Sequence, residues 1–122
     1  MMSNEISKKI EDEMLDHEVA VVKFAERQSL PGPIFNQIAK SVTSIGANYA
    51  EAQEASSKKD FINKIYIAKK EASETIHWLK FIGRYRNNPD EIPAFIDKTQ
   101  KFLMILQKII NSTRGQSSQD KG

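Results

Sequence analysis

Glu74 and His77 stand three residues apart, the E-x-x-H spacing with which helical di-metal sites hold a metal ion. Such a site needs a second unit and a carboxylate from each of two further helices. His17, the other histidine of the chain, follows Glu13 by four residues, and beyond its first turn the last helical segment offers only Asp97. With no cysteine and no glycine-rich phosphate loop, nucleophilic and nucleotide-dependent chemistry lack their parts as well. The expectation is a protein that is not an enzyme, without cofactor, metal or small-molecule substrate. His17 lies on an apolar stripe and reads as a core histidine.

Three other groupings have more to offer, and two of them share residues 58–86. At helical spacing, Lys59, Tyr66, Lys70, His77, Lys80 and Arg84 fall on one stripe that no acid interrupts. Cations interleaved with aromatic rings suit a phosphate backbone and an unpaired base, so these six are candidate nucleic-acid contacts. A second flank of the same segment carries Ile67, Trp78, Phe81 and Tyr85, too much apolar surface to leave in water, and reads as a candidate oligomer interface. The preceding segment has a stripe of small and polar residues. Its Ser44, Asn48 and Glu51, together with Glu71 and Glu74, form a candidate structural polar network, because buried polar groups need partners.

The elements that position these residues are helices. The chain has 122 residues, 39% hydrophobic and 28% charged, enough for one core. Its net charge is only +2, but residues 58–86 hold eight Lys/Arg against three acids, whereas residues 1–30 hold four against seven. Apolar residues recur every three or four positions in four segments, near 4–28, 33–54, 58–86 and 90–113. The stripes run Ile10, Met14, His17, Val21, Phe24; then Ile38, Val42, Ile45, Tyr49, Ala52. They continue Phe61, Ile65, Ala68, Ala72, Thr75, Leu79, Ile82; then Ile92, Ile96, Thr99, Leu103, Leu106, Ile110. Leu30-Pro31-Gly32-Pro33, Ala55-Ser56-Ser57 and Asn87-Asn88-Pro89-Asp90 break the pattern, and Ser57 with Asp60 makes an S-x-x-D helix start. Short breaks favour antiparallel neighbours, so the predicted fold is an all-α, antiparallel up-down four-helix bundle over 1–114, with 115–122 as a disordered tail. No apolar run reaches a membrane span and no signal-peptide core opens the chain, which points to a cytoplasmic protein.

Two blocks carry a resemblance. Ser44-Ile45-Gly46-Ala47-Asn48-Tyr49-Ala50-Glu51-Ala52, and Lys70-Glu71-Ala72-Ser73-Glu74-Thr75 leading to Trp78-Leu79, resemble the bacterial four helix bundle protein family, also called the 23S ribosomal RNA intervening-sequence protein family. The likeness covers roughly residues 20–110, with Lys40 where many members have Arg. It implies a four-helix protomer assembled as a ring-like homopentamer, mostly without an assigned activity. A related branch, the accessory variability determinant of diversity-generating retroelements, binds nucleic acid through a strongly basic surface. Together these readings predict a homo-oligomeric interaction protein whose partners are itself and RNA or DNA. The alternative is an adaptor that docks a protein on the aromatic flank of the third helix.

Overall fold

In the computed structural model the backbone is described for residues 4–121 and the side chains for residues 4–115. Four α-helices follow one another: α1 Asn4–Arg27, α2 Gly32–Gln53, α3 Lys58–Tyr85 and α4 Ile92–Lys121. Among the described residues there is no strand. For the segment 115–122, expected as a disordered tail, the side chains beyond 115 lie outside the described residues, and the backbone of 115–121 continues α4.

Each boundary has a local cause. Pro31 is extended (φ −54°, ψ 140°) and caps α2, and Pro33 occupies the first turn, where a missing N–H costs nothing. Ser29 takes a left-handed φ of 50° in the turn before it. Ser57 caps α3 by accepting the Asp60 N–H at 3.0 Å, the bond that the S-x-x-D spacing predicts. At the far end Asn87 and Asn88 are both left-handed, and the Asn88 N–H closes back on the Gly83 carbonyl. The spacing predicts the start of α4 near residue 90. The helix begins instead at Ile92, Pro89 serves as the acceptor of the Ile92 N–H, and Pro93 takes the first-turn place.

The four predicted stripes form the core. Met14, Val21 and Phe24 meet Ile38, Val42, Ile45 and Tyr49, and against these pack Ile65, Leu79, Ile82, Phe102, Leu106 and Ile110. Ile10, Phe61, Ile96 and Leu103 close the edges half-buried. At about 25 cal/mol per Å² of apolar area, each large side chain among them contributes roughly 1.5–3 kcal/mol against the entropy of ordering the chain. Contacts are most extensive between α2 and α3, then between α3 and α4 and between α1 and α2; α1 touches α4 least.

Polar pairs fix the register. Near the start of α1, Ser7 reaches Tyr49 at 3.0 Å and donates to Gln53 at 2.9 Å, both near the end of α2, while Glu18 farther along meets Gly46. Thr75 donates to Ser41 at 3.0 Å, and Lys64 pairs with Glu51 at 3.4 Å. Arg86 donates to the carbonyls of Gln28 and Ser29, at 2.8 and 3.0 Å, which ties the α3–α4 turn to the α1–α2 turn.

Candidate functional site

Lys59, Lys70, His77, Lys80 and Arg84 are all exposed along α3, on the side of the helix away from the core. None of the four cations among them forms an ion pair among the described residues, although Lys70 stands near enough to Glu71 to favour its ionised form. Tyr66 is half-buried between cations: the Arg114 guanidinium lies 5.1 Å from its ring centroid and the Lys69 ammonium 5.9 Å. Arg114 comes from the far end of α4, about one turn past the last apolar stripe residue. Spacing along α3 gives no sign of it.

The aromatic flank borders this stripe. Trp78 and Phe81 are half-buried with centroids 5.8 Å apart, and Phe81 stacks on Tyr85 at 5.7 Å with an interplanar angle of 18°. Ile67 and Tyr85 remain 39% and 47% exposed, a large apolar area for a helix face. The His77 ring meets the indole edge-on at 4.8 Å. At the C-terminal end of α3 the two flanks share a groove of about 470 Å³, lined by His77, Lys80, Phe81, Arg84 and Tyr85. Cationic heads and flat aromatic faces therefore open onto one space.

The polar residues of α2 sit differently. Ser44 donates to the Lys40 carbonyl at 2.6 Å and Asn48 to the Ser44 carbonyl at 2.8 Å, both within their own helix, and both residues are half-buried. Glu51 is exposed and held by Lys64. On α3, Glu71 is half-buried and Glu74 exposed. Partial burial, reinforced by the neighbouring Glu74 carboxylate, pushes the Glu71 carboxyl above the usual carboxylate range. Glu71 Oε2 and the Trp78 indole Nε1 are both buried without a hydrogen-bond partner.

Two buried ionisable groups lie in α1. His17 packs edge-on against Phe95 and Phe102 at 5.9 and 5.5 Å, and its Nε2 lies 2.8 Å from the Thr99 hydroxyl. That hydroxyl donates to the Phe95 carbonyl, so its oxygen accepts from Nε2–H and fixes the neutral tautomer. Burial, with help from Lys98, lowers the His17 pKa to about 4. Glu18 is only 7% exposed, and burial raises its pKa to about 7. Sequence reading passed over Glu18, although its spacing from Met14 and Val21 marks an acid inside an apolar stripe.

Glu74 and His77, the E-x-x-H pair, are exposed, and among the described residues no group of three or more His, Asp or Glu is placed to hold a metal ion. Among the described residues no helix is long and apolar enough to cross a membrane.

Residues 19–111 match the profile of the family described as 23S rRNA-intervening sequence protein. No curated protein matches the chain. A similar solved structure comes from Bacteroides thetaiotaomicron, described as a protein with unknown function from the S23 ribosomal protein family. It is 34% identical, covers 83% of this chain and 97% of its own, and superposes with a TM-score of 0.77. The chain thus belongs to the 23S rRNA-intervening sequence protein family.

Proposed function

We propose that this protein is a non-enzymatic, homo-oligomeric scaffold of the cytoplasm that binds RNA or DNA along α3. The observation that carries the reading is the exposed, unpaired basic stripe Lys59, Lys70, Lys80 and Arg84, with Tyr66 and His77 set among the cations. Contacts from such a stripe go to phosphates and tolerate any sequence, while Tyr66 offers a face for an unpaired base.

Within the protomer the helices run antiparallel, up and down. In support, the start of α1 meets the end of α2 through Ser7 and Gln53, Lys64 near the start of α3 meets Glu51 near the end of α2, and Arg114 in α4 reaches back to Tyr66. The oligomer forms through Ile67, Trp78, Phe81 and Tyr85, in a ring of five. The exposed part of that flank, at Ile67 and Tyr85, favours a second copy there over solvent. A ring repeats the basic stripe, so modest patches act together on one polyanion.

The test is a titration of fluorescent single-stranded RNA and DNA at low and at physiological salt, alongside light scattering. Binding is expected in the micromolar range, falling as salt rises because condensed counterions are released. The triple variant Lys70→Glu, Lys80→Glu, Arg84→Glu should abolish it while the oligomer stays intact. Equal binding by variant and parent, or binding indifferent to salt, removes this face from the reading and favours the adaptor that docks a protein on the aromatic flank.

A further inference from the structure

Glu18 sits where an acid is least expected, between α1 and the Gly46 stretch of α2. Its carboxyl occupies the space that a side chain at position 46 would fill: a Cβ on Gly46 would overlap Glu18 Oε2. That oxygen is fully buried and has no hydrogen-bond partner. A backbone hydrogen bond from Gly46 to the carboxyl favours the ionised form, but offsets the burial only in part. A shallow groove of about 320 Å³ runs alongside, to which α1 contributes Glu11, Asp12 and Leu15, and α2 contributes Thr43, Ala47 and Ala50.

The charges around Glu18 all have the wrong sign to hold an anion. On α1, Glu11 and Asp12 line the same groove, and the His17 ring is turned toward Thr99 and Phe102 of α4. From α2, the residues facing Glu18 carry no charge. An ionised carboxylate buried without a cation or a set of donors is strongly disfavoured, whereas a neutral acid in the same notch is tolerated. α1 lies closer to α2 than to α4, which it meets through His17 and Phe24, with Arg27 pairing to Glu91 just before that helix.

We propose that Glu18 is a proton-operated latch: as the neutral acid it seats on Gly46 and holds the N-terminal half of α1 against α2, and on losing its proton it leaves the notch and releases that half-helix. The proton goes to bulk water, and the carboxylate gains the hydration that it lacks in the notch. Release uncovers the α2 surface that Ser7 and Met14 cover, including the Tyr49 hydroxyl. The folded-state ionisation near pH 7 puts the switch close to neutrality.

Hydrogen exchange read by mass spectrometry tests this on the full chain, at pH values from 5 to 8.5 and corrected for intrinsic rates. In the parent, protection of amides from Ser7 to Val21 should fall by roughly one to two orders of magnitude over that range, while α3 amides hold. Glu18→Gln should keep α1 protection constant, and Glu26→Gln, an exposed acid of the same helix, should follow the parent. The latch is refuted if Glu18→Gln loses protection as the parent does. A carboxyl resonance of Glu18 in the parent that titrates in the ordinary carboxylate range refutes it too, and needs no variant to fold.

Discussion

Between pH 4.5 and 6.5 folding should transfer a proton from His17 to Glu18, leaving the summed contribution of the two residues to stability almost flat. In the unfolded chain, in this window, the histidine is charged and the acid ionised; in the folded protein both are neutral and buried. The folded pKa of His17 is about 4 against 6.5, so its contribution is fully present above pH 6.5 and is lost as pH falls toward 4. The folded pKa of Glu18 is about 7 against 4.5, so its contribution is present at low pH and is lost as pH rises through 7. Integrated from pH 4.5 to 6.5, each is worth about 2 kcal/mol, with opposite signs. The assay is urea unfolding at several pH values for parent, Glu18→Gln and His17→Gln. Glu18→Gln should gain about 2 kcal/mol of stability relative to the parent as pH rises across the window, and His17→Gln should lose a similar amount. Glu71, raised in the same direction as Glu18, is present in all three proteins and drops out of the differences. Variant curves that stay parallel to the parent would refute the assignment of neutral forms to both residues.

Two further outcomes follow from the packing. Gly46→Ala places a methyl on a buried carboxyl oxygen and should destabilise by about 1–3 kcal/mol in urea unfolding, with most of that recovered in a Glu18→Ala background where the clash is gone. Trp78→Ala should bring the mass by light scattering toward the 13.9 kDa of one protomer while circular dichroism shows the helices retained; an unchanged oligomer would move the interface off this flank.

Much of this architecture is legible in the sequence because helix periodicity is a local property. Ile38, Val42, Ile45, Tyr49 and Ala52 announce a buried stripe by spacing alone, and all five are buried. Ser57 and Asp60 announce a cap in the same way. What periodicity omits is which stripe meets which. The Arg114 cation over Tyr66 and the His17–Thr99 bond join residues 48 and 82 positions apart, set by helix rotation and axial shift, which no single segment encodes. Asn48 shows the converse limit. Its residue type demands a partner, and a carbonyl one turn back in its own helix meets that demand as well as a neighbouring helix would. Glu18 is the instructive omission, since an acid on a core stripe is readable, but the notch that receives it depends on a glycine 28 residues away.

The chain has one tryptophan, and its surroundings make it an optical reporter. Trp78 lies edge-on to His77, touches Phe81, and buries an indole N–H that has no acceptor. Indole emission shifts red when its N–H gains a polar partner and dims when a neighbouring imidazole takes a proton. Assembly on the aromatic flank and occupation of the groove beside His77 both converge on the same fluorophore. Unlabelled protein therefore carries its own signal: a spectral shift registers a neighbour arriving beside the indole.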